Sequence, residues 1–232
     1  MKRIKAVSVL FLVLLMPFCF YAQTKKAMIP DYGNNPKAGK YITTRGIKIY
    51  YETYGKGEPL LMIHGNGGSI SNFKYQIAYF EKNYKVIIAD SRSQGKTIDT
   101  SETLTYEMMA DDLNALLDSL HIRSANVLGW SDGGINGLLL AIRHPDKVKK
   151  MAITGANLIP DSSVLHPEGV TMVKEGIEFL KKAKQDESTI NTLKLFKMMD
   201  TEPHITFNDL QKIKCPVLVI GGDNDIIKPF FN

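Results

Sequence analysis

Five consecutive residues constrain this chain more than any others: Gly129-Trp130-Ser131-Asp132-Gly133. A short apolar run, Ala125-Asn126-Val127-Leu128, leads into them, and a helical pattern from Gly134 to Arg143 follows. Small residues two before and two after a serine let a strand and a helix pack closely around a tight turn that strains the serine and presents its hydroxyl. The helix N-terminus and the amide after Ser131 then favour negative charge on a reacting carbonyl oxygen. A serine capping a helix beside two packing glycines would look the same over these five positions. The strand before and the helix after decide for a nucleophile.

The rest of the chain supplies the sheet that such a turn requires. Ile47 to Glu52 alternates in a strand-like way, and Pro59–Ile63, Lys85–Ala89, Val148–Ile153 and Pro216–Ile220 are short apolar runs bounded by turn residues. Runs of this kind suit strands buried on both faces of a parallel sheet. Helical patterns over Ser71–Glu81, Tyr106–Leu120 and Gly134–Arg143 fall between them, with Met109, Leu113, Leu116, Leu117 and Leu120 on one face. Alternation of strand and helix predicts a doubly wound α/β sheet. It lapses between about 160 and 207, where polar-rich helices predict a small lid over the sheet edge.

Two further segments carry candidate chemistry. His64-Gly65-Asn66-Gly67-Gly68 follows the Pro59–Ile63 run, and its glycines let the backbone approach a ligand. The Asn66 amide is expected to complete an oxyanion hole with that of Asp132. A phosphate cradle is the alternative for such a turn, but neither G-x-G-x-x-G nor a P-loop lysine is present. His64 reads as a structural hydrogen-bonder beneath the loop. After the Pro216–Ile220 run, Gly222-Asp223-Asn224-Asp225 offers a carboxylate that can orient a histidine and stabilise its cation. Asp225 is favoured over Asp223 because it lies farther into the loop.

Charge and leader patterning narrow the setting. The net charge of +5 depends on Lys2, Arg3 and Lys5, and without them 26 basic residues face 24 acidic ones. That balance gives no nucleic-acid patch. The same basic residues precede an apolar run from Ala6 to Phe20 and a small residue at Ala22, the three-part pattern of a secretory signal. The expectation is a signal peptide over 1–22, removed on export to a periplasmic or extracellular location, and a domain over 23–232 without a stable membrane span. Cys215 would then be the sole thiol, and it reads as structural.

Together these residues resemble the α/β-hydrolase superfamily, from about Tyr41 to Phe230. Asp90-Ser91-Arg92-Ser93-Gln94-Gly95-Lys96-Thr97 is similar to its D-x-R-G-x-G-x-S loop, with Ser93 in place of the usual glycine. Ala110-Asp111-Asp112-Leu113 and Arg143-His144-Pro145-Asp146-Lys147-Val148 match segments flanking the nucleophile strand and helix, so His144 looks structural. A narrower likeness, carried by Leu128–Ile135, Gly155-Ala156-Asn157 and Gly222–Asp225 with Pro229 following, is to the biphenyl hydrolase-like (valacyclovir hydrolase) group. That likeness implies that the Asp132 carboxylate binds a substrate α-amino group. Its bland counterpart is an acid that only stabilises the helix N-terminus.

The resemblance also implies a further strand, a catalytic histidine and a closing helix after Asp225, where only Ile226–Asn232 follows. The expected fold is therefore an α/β-hydrolase sheet flanked by helices, with a small helical lid and without the last strand and helix. The expected function is a serine hydrolase of a small ester or amide, an α-amino-acid ester among the candidates, acting through an acyl-enzyme. Ser131 would be the nucleophile, Asp225 the acid, and Asn66 and Asp132 the oxyanion donors. The alternative is an impaired relative that binds a small acyl ligand. No metal or organic cofactor is implied, since no histidine–carboxylate cluster has metal-ligand spacing.

Overall fold

The computed structural model describes residues 30–228. The predicted signal over 1–22 lies outside the described residues, as does Pro229. Seven strands form one sheet: β1 (Gly39–Thr44), β2 (Ile47–Tyr54), β3 (Glu58–Ile63), β4 (Tyr84–Ala89), β5 (Ala125–Trp130), β6 (Val148–Thr154) and β7 (Val217–Ile220). Their spatial order is β1-β2-β4-β3-β5-β6-β7. β1 and β2 pair antiparallel, β2 joins β4 antiparallel, and every pairing from β4 to β7 is parallel. β1 was not among the predicted strands, because Tyr41 and Ile42 are its only large apolar residues and it lies at a half-exposed edge.

Among the described residues six helices accompany the sheet: α1 (Lys74–Phe80), α2 (Tyr106–Ser119), α3 (Asp132–Arg143), α4 (Pro167–Lys182), α5 (Glu187–Thr201) and α6 (Phe207–Leu210). The first predicted helix begins as a 3-10 turn over Ile70–Phe73. Successive strand residues feed opposite faces. Leu61, Ile63, Ile87 and Ala89 join Met109, Leu113, Leu116, Leu117, Ile135 and Leu140 in one core. Leu60, Met62, Val86 and Ile88 join Ile70, Phe73 and Ile77 in the other. This two-sided burial explains the continuous apolar runs, each such side chain contributing about 1.5–3 kcal/mol when removed from water.

β7 is the exception. Val217, Leu218, Val219 and Ile220 are 37%, 59%, 65% and 46% exposed, so this apolar edge strand has both faces largely open. Helices α4, α5 and α6 occupy the interval between β6 and β7. Among the described residues, no helix is long and apolar enough to cross a membrane.

Candidate active site

Ser131 joins β5 to α3 with φ 55° and ψ −126°, a left-handed conformation that a residue with a Cβ adopts only under constraint. The constraint is visible on both sides. The Ser131 N–H donates to the Thr154 carbonyl at the end of β6 (2.8 Å), and the Ser131 carbonyl accepts from Gly134 N–H (2.7 Å). The glycines of the motif are steric requirements. A Cβ at Gly129 would strike the Gly133 carbonyl, and one at Gly133 would strike the Ile63 carbonyl at the end of β3. Helix α3 therefore starts directly against two strand ends, and Ser131 stands at their junction.

The turn after β3 faces the same point. A Cβ at Gly65 would lie 3.0 Å from Ser131 Cβ, so any larger residue there would crowd the serine. Asn66 Nδ2 donates to Asp132 Oδ2 at 2.9 Å, tying the two residues whose amides were predicted to hold an oxyanion. Asp132 is the first residue of α3, so its N–H has no acceptor within the helix.

Two buried groups hold this arrangement from behind. The His64 ring is 1% exposed; its Nδ1 bonds the Gly65 carbonyl (2.8 Å) and its Nε2 accepts from Ser91 N–H (2.9 Å). These partners fix the neutral tautomer with the proton on Nδ1, and burial pushes the ring pKa down to about 4. The Asp132 side chain is also buried, and desolvation raises its pKa to about 6 against the opposing bonds from Asn66 and the Tyr106 hydroxyl. Tyr106 opens α2 and reads in the sequence only as a core aromatic. Its role beside Asp132 follows from the packing of α2 on α3.

Asp225 lies across the site. A Cβ at Gly155 (φ +66°) would fall 3.7 Å from Ser131 Cα and 3.9 Å from Asp225 Oδ2, so the carboxylate stands on the Ser131 side of the β6 loop. Asp225 is half-buried whereas Asp223 is exposed, and its Oδ1 accepts from Ile227 N–H (3.3 Å). Of the five histidines, His64 and His144 have ring partners of their own, and the other three are exposed. His144 Nε2 pairs with Asp111 Oδ1 at 2.8 Å, His121 sits at φ 55° beyond the end of α2, and His204 is exposed beside Ile205. His166 is exposed at the start of α4, and its backbone N–H donates to the Ile226 carbonyl (2.8 Å), next to Asp225. Among the described residues no histidine ring hydrogen-bonds Ser131 or Asp225. Nor do any three His, Cys, Asp or Glu residues there cluster as a metal site would require.

The Asp90–Thr97 loop flanks the turn and is heavily braced. Asp90 accepts from Ile70 N–H (2.8 Å) and Lys96 N–H (2.7 Å). Arg92, 3% exposed, makes a two-pronged bond to Asp112 of α2 (2.7 and 2.8 Å) and a third to Asp99 (3.0 Å). Ser93, at the loop's usual glycine position, keeps φ 59°, and its hydroxyl donates to Asp99 Oδ2 (2.9 Å). Cys215 is only half-buried, and burial raises its thiol pKa.

A strained serine at a strand–helix junction on a mainly parallel sheet, opposite a glycine turn and a carboxylate loop, defines the serine-elbow class of α/β enzymes. Residues 58–179 match the alpha/beta hydrolase fold family, and the chain belongs to it. The chain is 26% identical over 219 residues to the human serine hydrolase BPHL, covering 87% of this chain and 75% of that protein. It is likewise 26% identical over 214 residues to 3-oxoadipate enol-lactonase 2 of Acinetobacter baylyi, covering 79% and 78%. Among solved structures, a carboxylesterase of the thaumarchaeon Nitrososphaera gargensis shares the fold at TM-score 0.69 and 21% identity, over 80% of this chain and 81% of that one. By this family resemblance the chain is a hydrolase.

Proposed function

We propose that this protein is an exported serine hydrolase that cleaves a small carboxylic ester or amide through an acyl-enzyme. The observation that carries the reading is the strained Ser131, held against the Gly65–Asn66 turn and on the same side as Asp225. In the first step Ser131 Oγ attacks the substrate carbonyl carbon. The oxyanion is received by the Asn66 and Asp132 amides, and the C–O or C–N bond breaks as the leaving alcohol or amine takes up the proton released by the serine. Water then cleaves the serine ester and regenerates the hydroxyl. Asp225 is the acid that orients a general base.

The likeness to BPHL, a protein named as a serine hydrolase, supports this chemistry. A buried Asp132 carboxylate at the elbow supports an α-amino ester as substrate, since an ammonium beside it makes a charge-assisted hydrogen bond. The N-terminal charge and apolar pattern supports export.

One observation favours a second reading, an impaired hydrolase that binds a small acyl ligand: no described histidine ring is bonded to Ser131. Without a base, serine reactivity falls by several orders of magnitude. A fluorophosphonate probe on the full chain separates the two. Rapid labelling that disappears in Ser131→Ala is the expected result; absence of labelling would sink the enzyme reading for this chain. In an active preparation, α-amino esters should be preferred to their N-acetyl counterparts. Equal rates that Asp132→Ala leaves unchanged would remove the amino-ester assignment.

A further inference from the structure

We propose that Asn66 is a site of spontaneous deamidation, and that this modification dismantles the turn that faces Ser131. The chemistry stands on the turn alone; its consequence for an oxyanion rests on the proposed hydrolase reading. Two Asn-Gly pairs occur in the chain, Asn66-Gly67 and Asn136-Gly137. In such a pair the glycine has no side chain to shield its backbone nitrogen, so that nitrogen can attack the preceding carboxamide carbon. The fold treats the two pairs oppositely.

Asn66 and Gly67 are the central residues of a turn that the Gly68 N–H closes onto the Gly65 carbonyl (3.1 Å). Gly67 is exposed at φ +63°, and nothing lies within 4 Å of the position a Cβ would take. Among the described residues its N–H has no acceptor. The nucleophile is therefore free, open to water and part of a residue with wide backbone freedom. The electrophile sits one residue back. Asn66 is half-buried, and the one described bond of its carboxamide runs from Nδ2 to Asp132 Oδ2 (2.9 Å). Asn136-Gly137, by contrast, lies inside α3. Asn136 is 1% exposed, and a Cβ at Gly137 would press on Val127 at 3.3 Å. The Gly137 N–H belongs to the helix ladder, and the backbone rotation that ring closure needs would have to break the helix first.

The reaction needs no co-reactant but water. The Gly67 nitrogen bonds to Asn66 Cγ, the Cγ–Nδ2 bond breaks, and the proton from the Gly67 N–H ends on the departing ammonia, which leaves a succinimide ring. Water then opens the ring at either carbonyl, giving aspartate or isoaspartate. Both products put a carboxylate where an N–H donor faced the buried Asp132 carboxyl. Two carboxylates then share a site built for one, so one of them holds a proton or the turn swings away. Isoaspartate also adds a carbon to the main chain between the N–H of residue 66 and Gly67. In either case the bond that spaces the Asn66 and Asp132 amides is lost.

Peptide mapping by mass spectrometry of the full-length protein, aged at mildly alkaline pH, reads the chemistry without turnover. In the folded chain Asn66 should convert at least about tenfold faster than Asn136, and the two rates should converge in urea, where the helix no longer protects the second pair. Gly67→Ala, whose Cβ meets open space, should slow conversion at Asn66 several-fold and leave Asn136 unchanged. The aged species, separated by ion exchange, should unfold at lower urea than fresh protein and match Asn66→Asp. Asn66 as inert as Asn136 in the folded chain would overturn the site, because the Asp132 bond would then protect the amide. Conversion with an unchanged urea midpoint would overturn its effect on the turn. Fresh protein that fails to label with fluorophosphonate sinks the hydrolase reading alone, so the two failures give different results.

Discussion

Asn66 Nδ2 donates to Asp132 Oδ2 across 2.9 Å, and this one bond joins the turn after β3 to the first turn of α3. The two amides assigned to the oxyanion belong to these same residues, so their spacing is set by the side-chain bond. Asn66→Ala keeps the backbone N–H but frees the turn. The expected outcome is a roughly tenfold slower fluorophosphonate labelling of Ser131 and a loss of about 1–3 kcal/mol from leaving a buried carboxylate short of a donor. Labelling kinetics and urea unfolding check the two effects separately.

Asp132 also sets a pH dependence. Its pKa rises from 3.8 in the unfolded chain to about 6 in the fold because burial disfavours the charged form. Between those values the folded chain binds more protons, so this residue lowers stability as pH rises through the window. Asp132→Asn should therefore be more stable than the parent at pH 8, by up to about 3 kcal/mol, with the gap closing toward pH 4. Denaturant unfolding at both pH values measures it; a gap that widens toward acid would refute the assignment.

His64 acts in the opposite direction. Its pKa falls from 6.5 to about 4, so the unfolded chain takes up the proton first as pH is lowered. Stability from the neutral ring is complete above pH 6.5 and is lost as pH falls to about 4, on the order of 3 kcal/mol in all. In His64→Gln this acid-side slope should flatten, whatever the variant's stability at pH 8. Thermal melts between pH 4 and 8 on both chains provide the comparison.

The sequence makes the elbow legible because its requirement is local: Gly129, Gly133 and Ser131 must share one turn, and the strand and helix on either side carry strong periodic signals. The parallel strands β3 to β6 are equally legible, since burial on both faces leaves an unbroken apolar run. What could not be read is cross-chain pairing. Nothing local in Tyr106 announces that it faces Asp132. Arg92 and Asp112 are 20 residues apart, and their bond exists only because α2 packs beside the loop.

That pair carries its own prediction. Arg92 is 3% exposed and holds Asp112 in two places, so removing the acid leaves a buried guanidinium with Asp99 as its remaining acid. Breaking a buried pair by deleting one partner typically costs about 3–5 kcal/mol. Asp112→Ala should lose that much stability and loosen the Asp90–Thr97 loop. Replacing all three buried charges, as Arg92→Met with Asp112→Leu and Asp99→Asn, should recover a large part of the loss, because the buried Asp99, which also pairs with Arg92, is then not left as an unpaired charge. Equilibrium unfolding of the single and triple variants decides between a structural cluster and a dispensable one.

The open edge at β7 makes a last prediction, about association. Leu218 and Val219 point to opposite faces of the strand, yet they are 59% and 65% exposed, so neither face is covered. β7 pairs with β6 from Met151↔Val217 to Thr154↔Ile220, and among the described residues no strand of the sheet lies beyond it. A free, apolar edge is a template for pairing with another chain, and natural sheets blunt such edges with charge. The isolated chain should therefore self-associate at micromolar concentration in a manner that rises with salt, since screening removes repulsion but leaves apolar burial intact. Leu218→Glu with Val219→Lys places charge on both faces of the strand while disturbing no core contact. Light scattering should report a lower mean mass for this double variant, and its melting temperature should stay close to that of the parent, because exposed substitutions away from packed contacts move stability by only about 0.5 kcal/mol. An unchanged mean mass would show that the chain does not associate through β7.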